Sequence, residues 1–217
     1  MATGKSDTLN DQLSSYIGLP ADQVARLQAR IPAFLFVKDQ LQKSGRLISL
    51  YDGSYMAIDP DPSSPFPLRE DPLLIQLNTL LTAGMNSYVR EQLKLETDTP
   101  YEILNKGVSK KWNWKSGLEQ GQGYVGVAEN LKHSMSINKD LKAFIAHGVF
   151  DLVTPYFGTV VVIRQMSLDP AITPNLLLKV YEGGHCSTRM LRAGICFLKM
   201  RNSFFIKPYP IIDPYVV

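Results

Sequence analysis

Two apolar segments, each ending in a turn that carries an ionisable residue, constrain this chain more than any other feature. In FIAHGVFDLVTPYFGT the apolar run ends at His147-Gly148 and Asp151 follows; NLLLKVYEGGHCS ends its run at Gly183-Gly184-His185. Thr154-Pro155 can open a helix between them. The pattern strand, helix, strand predicts one βαβ unit with both turns at the carboxyl ends of neighbouring parallel strands, the edge where open α/β sheets bind ligands.

The chain is predicted to be α/β, with its helices concentrated before this unit. The predicted strands are 141–146, apolar as for a strand covered on both faces, and 176–181; the helix between them is 155–166. Residues 10–45 are predicted to be helical, with Asp22 as a cap. The strongest helix pattern is DPLLIQLNTLLTAGMNSYVREQL, and VAENLKHSMSI predicts another helix.

Composition excludes several function classes. The net charge of +3, without a basic stripe interleaved with aromatic residues, gives no support to nucleic-acid binding. No apolar stretch approaches the roughly 20 residues that span a bilayer, and the first residues, MATGKSDTLNDQ, are not a signal peptide. Cys186, Cys196 and the three histidines form no spaced metal-ligand cluster, so we expect no metal and no cofactor. Free thiols are favoured over a disulfide.

Three further patterns could each indicate a binding site, but a structural interpretation is favoured for each. The acids of IDPDP could suggest a cation site, but the prolines favour an exposed loop. Basic residues beside Trp112 and Trp114 could help these rings stack on a base or a sugar, but a packed aromatic pair is the favoured interpretation. G-x-G-x-x-G occurs at residues 121–126 without a preceding strand, which favours a loop over a dinucleotide site. His133 is interpreted as a surface or packed histidine.

Asp151 and His185 are candidates for two members of a Ser-His-Asp relay. In such a relay the imidazole takes a proton from the nucleophile and returns it to the leaving group, while the carboxylate holds the imidazole in the right tautomer. Gly183 and Gly184 would allow the tight turn that aims the ring. On these residues alone, the alternative that both are simple turn residues stays open.

The same segments resemble the end of the α/β-hydrolase domain of the serine carboxypeptidases, most closely their bacterial branch. HGVFDLVTPYFGT followed by VYEGGH is similar to the family pattern G-x-x-D-x-x-x-P and then Y-x-G-G-H-M. The stretches IGLPADQVARLQARIPAFLFVKDQLQKSGRLISLYDG and TPYEILNKGVSKKWNW resemble the helical insertion that caps the site in that branch. The resemblance extends over residues 14–185, nearly four fifths of the chain.

This resemblance implies a partial α/β-hydrolase fold, consisting of the C-terminal strands and helices, with a mainly helical cap region. It implies a cap or insertion over residues 10–115, a C-terminal α/β-hydrolase remnant over 120–190 and a divergent tail over 191–217. By matching position, Asp151 is the acid and His185 the base of the triad. The implied function is that of a fragment of a serine-type carboxypeptidase, an enzyme that hydrolyses peptides from their C-terminus.

The nucleophile of that family, carried in G-x-S-x-G, is not found in this sequence. Neither Ser54 in YDGSYM nor Ser109 in NKGVSKK has both flanking glycines of the motif, and neither follows an apolar strand. The oxyanion-hole segment and the first strands of the sheet are missing as well. We therefore expect the chain alone to be inactive. The expected partners are a peptide substrate, in the full-length parent enzyme, and the missing N-terminal half.

The sequence departs from the family a second time directly after His185. Where the family has Met and a closing helix, this chain has CSTRMLRAGICFLKMRNSFFIKPYPIIDPYVV, with five Lys or Arg and one acid. The abrupt change in composition suggests a shifted reading frame or a foreign tail.

A second hypothesis comes from a different class of protein. The helical segment could be a non-catalytic binding module, with the α/β remnant as its scaffold. The resemblance leaves the compartment open, because members of the family are commonly exported to the periplasm or secreted, and any signal would precede residue 1.

Overall fold

The computed structural model describes residues 3–65, 70–113 and 126–185, which form helices and two small sheets. The chain is therefore mixed α and β, as predicted. The described residues divide into two compact units. The first comprises residues 3–65, 70–74, 148–154 and 182–185, and the second comprises residues 75–113, 126–147 and 155–181. The sequence-based division into cap region, remnant and tail stays a prediction.

Three helices open the first unit: α1 (Thr3–Ile17), α2 (Ala21–Arg26) and α3 (Ala33–Asp39). They confirm the predicted helical character of this part of the chain. The prediction that Asp22 caps a helix is wrong, because Pro20 occupies the N-cap of α2 and Asp22 lies in its first turn. A carboxylate in the first turn still interacts favourably with the helix dipole.

A β-hairpin follows, made of β1 (Arg46–Ile48) and β2 (Met56–Ile58), which pair antiparallel. This hairpin was not predicted, because strands of three residues carry almost no alternation of apolar and polar residues. Leu47 and Ile48 of β1 are buried. The other buried apolar side chains of this unit are Leu19, Val24, Val37 and Leu73.

One of the two acids after β2, Asp59, forms a buried ion pair, while Asp61 is exposed. The ammonium of Lys38, on α3, lies 2.5 Å from a carboxylate oxygen of Asp59, and both side chains are buried. Lys38 also donates a hydrogen bond of 2.7 Å to the carbonyl oxygen of Asp61. The prediction of an exposed loop is therefore wrong at Asp59, whose charge is balanced by a lysine. Such a pair requires both partners, since a single buried charge is costly.

The strongest helix pattern of the sequence is confirmed by α4 (Pro72–Ser87), which continues as a π-helical turn over Tyr88–Gln92. The second unit also contains α5 (Lys106–Lys111) and α6 (Ala128–Ile137), the latter in the predicted place. Among the described residues, no helix is long and apolar enough to cross a membrane.

The predicted strand, helix and strand are present as β3 (Ala143–Gly148), α7 (Tyr156–Met166) and β4 (Leu176–Tyr181). The two strands pair with each other in a two-stranded sheet. β3 begins two residues later than predicted, and the expectation that both its faces are covered is wrong, since Phe144 is 43% exposed. A buried cluster of Met135, Ile172 and Leu176 supports this unit.

Several sequence-based predictions fall on residues outside the described part of the chain. These are Trp114, the start of the glycine motif at residues 121–125, both cysteines and the tail over 191–217. Trp112 is described and is exposed, so the prediction that it packs in an aromatic pair is wrong. His133 is a surface residue of α6, as one of the two interpretations had it.

Candidate active site

Asp151 lies in the turn that follows β3, and its carboxylate is held by that turn. Its Oδ1 accepts hydrogen bonds of 2.9 Å from the backbone N–H groups of Val153 and Thr154. The N–H of Asp151 donates to the carbonyl oxygen of Gly148 at 3.3 Å. With only 4% of the residue exposed, the carboxylate is buried and its first oxygen is fixed by its own backbone.

His185 lies in the turn that follows β4 and contacts the other oxygen of the same carboxylate. Its Nδ1 is 2.9 Å from Oδ2 of Asp151. The ring packs edge-on against the ring of Tyr51, with 5.4 Å between the centroids. Its side chain is 40% exposed, whereas that of Asp151 is buried. The pair thus joins a buried acid to an imidazole that a solute can reach.

Glycines allow the two turns to approach each other this closely. A Cβ on Gly148 would collide with the carbonyl oxygens of Gly183 and Gly184. Gly183 has a φ of +146°, a conformation that side-chain-bearing residues rarely adopt. Its carbonyl oxygen accepts a hydrogen bond of 2.9 Å from the N–H of Phe150, in the other turn. The prediction that glycines beside the histidine allow a tight turn is confirmed.

The loop between β1 and β2 is a third component of the site. Its Tyr51 carbonyl accepts a hydrogen bond of 2.6 Å from the N–H of His185. Leu50 accepts one of 3.0 Å from the N–H of Leu152, and the N–H of Gly53 donates one of 2.8 Å to Phe150. This loop, residues 49–55, therefore fixes both turns through backbone hydrogen bonds. No pattern in the sequence predicted that this loop belongs to the site.

The carboxylate of Asp71 holds the same loop in place. It accepts hydrogen bonds from the hydroxyl of Ser49 at 2.7 Å and from the N–H of Leu50 at 2.8 Å. It also accepts one of 3.0 Å from the N–H of Leu73, as an N-cap does at the start of α4. The Asp-Pro pair at this helix start was the available sequence signal, although it did not reveal the contact with the loop.

Hydrogen bonds lower the pKa of Asp151. Burial by itself would raise the pKa, since it disfavours the charged carboxylate. Hydrogen bonds from the side chain and the backbone of Thr154 and from His185, together with the charge that His185 can carry, outweigh burial and bring the pKa below its ordinary value of 3.8. The carboxyl group of Asp151 is therefore ionised at neutral pH.

This lowered pKa predicts a pH dependence of stability. A carboxyl group whose pKa is lower in the folded state contributes stability above its unfolded pKa of 3.8 and loses it as the pH falls through the folded pKa. We expect the difference in the free energy of unfolding between wild type and Asp151→Asn to shrink as the pH is lowered from about 5 to about 2. Urea titrations at each pH measure it. A difference that stays constant over this range would contradict the assignment.

The structure brings together the two predicted members of a triad but supplies no partner serine among the described residues. The hydroxyl of Ser54 donates to a carboxylate oxygen of Asp52 at 2.5 Å, so its proton is engaged away from His185. Ser109 is an exposed residue of α5, in the second unit. In the described part of the chain, no group of three or more His, Cys, Asp or Glu side chains could hold a metal ion.

A comparison of the chain with protein-family models, curated proteins and solved structures found no match. The case for a function therefore depends on the geometry of this chain and on the motifs quoted above. Among the described residues, the hydrogen bonds of the His185 ring are made through Nδ1. Its Nε2 is then the nitrogen available to exchange a proton with a reacting group, as in a Ser-His-Asp relay.

Proposed function

We propose that this chain is a fragment of a serine-type carboxypeptidase, a hydrolase with an α/β-hydrolase fold. In this proposal His185 is the general base and Asp151 orients it. The observation that carries the proposal is the 2.9 Å contact between Nδ1 of His185 and Oδ2 of Asp151. The burial of the acid, the exposure of the imidazole and the resemblance of both turns to the family motifs support it.

The proposed reaction has two steps. A serine hydroxyl attacks the carbonyl carbon of the last peptide bond while Nε2 of His185 takes its proton, and the protonated imidazole then gives this proton to the leaving amine. Water next attacks the acyl-enzyme with His185 again as the base, releasing the shortened peptide. Asp151 stabilises the imidazolium in both steps, and backbone amides stabilise the oxyanion.

The serine belongs, in this proposal, to a segment outside these 217 residues, because none of the serines in the sequence stands in G-x-S-x-G. We expect the purified chain neither to hydrolyse a blocked peptide substrate nor to react with a fluorophosphonate, a reagent for activated serines. Mass spectrometry of the treated protein measures this. Stoichiometric labelling would reveal a nucleophile in the chain and would contradict the fragment proposal.

Restoration of activity is the direct test of the proposed function. The chain is mixed with the half of a bacterial serine carboxypeptidase that contains G-x-S-x-G, and release of the C-terminal residue from a blocked dipeptide is followed. Hydrolysis that requires both components supports the proposal. The control replaces the nucleophilic serine of the added half by alanine. A stable complex that contains both halves and still shows no hydrolysis would overturn the proposal.

A second candidate function is that of a non-catalytic binding module. It is favoured by the apolar side chains that α4 exposes in the second unit, Ile75, Leu80 and Leu81. At 100° per residue these three side chains point to different sides of the helix, and a helix that is apolar all round is normally buried, so another chain could cover it. A stable partner that co-purifies with the chain and lacks G-x-S-x-G would favour this candidate.

A further inference from the structure

Thr154 contacts both members of the pair. It follows Asp151 by three residues, and its hydroxyl donates a hydrogen bond of 2.6 Å to Oδ2 of Asp151. The same hydroxyl oxygen lies 3.2 Å from Nδ1 of His185, and Nδ1 lies 2.9 Å from Oδ2. The three atoms thus form a triangle in which every side is within hydrogen-bond distance.

The number of hydrogens available in this triangle determines whether Nδ1 of His185 carries one. The hydroxyl has one hydrogen, which is engaged with Oδ2, and an ionised carboxylate has none. The two contacts of Nδ1, with Oδ2 and with the hydroxyl oxygen, can therefore be hydrogen bonds only if Nδ1 carries a hydrogen. An unprotonated Nδ1 would face two oxygens with its lone pair, and neither oxygen could donate to it.

We propose that Thr154 is a positioning residue that, together with Asp151, holds His185 in the tautomer with its hydrogen on Nδ1. The hydroxyl makes two hydrogen bonds: it donates one to Oδ2, which keeps that oxygen next to the ring, and it accepts one from Nδ1–H, which Oδ2 also accepts. This tautomer leaves the lone pair of Nε2 free for a proton. The inference rests on the proposed role of His185 as the base, although the tautomer itself is measured without any reaction.

Nitrogen-15 NMR of the histidine-labelled chain, at a pH where the imidazole is neutral, tests this inference. Ring nitrogens with and without a hydrogen have well separated shifts, so the tautomer ratio is read directly. In wild type we expect the hydrogen of His185 on Nδ1. In Thr154→Val we expect the ratio of the Nε2–H to the Nδ1–H form to rise by roughly three- to tenfold, the equivalent of one lost hydrogen bond. Thr154→Ser keeps a hydroxyl and should restore the wild-type ratio.

The chain offers a matched control. Thr159, on α7, places its hydroxyl oxygen 2.8 Å from Nε2 of His147, both in the second unit. Thr159→Val therefore removes a contact of the same type from a different histidine. We expect it to change the signals of His147 and to leave the tautomer ratio of His185 unaltered. Exposed His133 serves as the internal reference.

Several outcomes would overturn the inference. A wild-type His185 that carries its neutral-state hydrogen on Nε2 would do so, as would an unchanged ratio in Thr154→Val or an equal shift in Thr154→Ser. If the valine variant does not fold, Thr154→Ala, which removes the hydroxyl without adding a methyl group, is compared with Thr154→Ser. Failure of the mixing experiment would remove the proposed function and leave these NMR results unaffected, so the two failures are distinguishable.

Discussion

Replacement of Gly184 by alanine is expected to separate His185 from Asp151 and to lower the free energy of unfolding by about 3 kcal/mol. The new methyl carbon would stand 2.5 Å from Cβ and 2.7 Å from Cα of Asp52, and it would also collide with the carbonyl oxygen of Tyr51. Two of these three atoms belong to the backbone, so a side-chain rotation cannot relieve the clash. The loop between β1 and β2 would have to move, together with the hydrogen bond that Tyr51 accepts from His185.

Urea unfolding followed by circular dichroism measures the loss of stability, and the NMR signals of the His185 ring report the loss of the contact with Asp151. The matched control is Gly84→Ala in α4, where an added Cβ meets nothing within 4 Å. Since alanine is the better helix former, this control should gain up to about 1 kcal/mol. If the two substitutions changed the free energy of unfolding equally, Gly184 would not be packed closely against Tyr51 and Asp52 in solution, and the prediction would be contradicted.

Replacement of Asp151 by asparagine is expected to lower kcat about 10⁴-fold in the enzyme reconstituted with a half that bears the nucleophile. The amide can no longer accept Nδ1–H and stabilise the imidazolium as the carboxylate does. Because the defect lies in the transition state, KM should change little. His185→Ala should cost at least as much, since it removes the base itself.

His133→Ala is the matched control for this experiment, because His133 is an exposed residue of α6. It should leave the rate of the reconstituted enzyme unchanged. Complex formation between the halves is measured in parallel for every variant, so that a lost interaction is not mistaken for lost chemistry. A fully active Asp151→Asn complex would contradict the assigned role of the pair.

The elements predicted best are those with long, regular patterns. The helix from Pro72 has apolar residues at intervals of three and four, and β4 is a short apolar run bounded by turn residues. The hairpin of β1 and β2 was missed because three-residue strands are stabilised by their neighbours rather than by their own pattern. Asp59 was wrongly predicted to lie in an exposed loop, because its partner, Lys38, is 21 residues away in sequence.

In the candidate site, too, local patterns predicted some residues, and contacts between distant segments were not predicted. Asp151 and His185 were predicted from local signals, since each follows an apolar run and lies near glycines. Thr154 and the loop that contains Tyr51 were not predicted to belong to the site. In the sequence Thr154 is an ordinary residue before a proline, and only the position of its hydroxyl places it in the site. The loop with Tyr51 contacts His185 across more than 130 residues of sequence.

The sequence by itself determined which segments form the main helices, the β3–α7–β4 order and the two ionisable residues that the turns present. Periodicity, helix-start signals and glycine placement carry this information within a few residues. The tertiary structure alone decided that the two residues meet at 2.9 Å, that Thr154 joins them and that the hairpin loop fixes both turns. Hydrogen bonds between segments depend on distances of a few tenths of an ångström, which a local pattern does not specify.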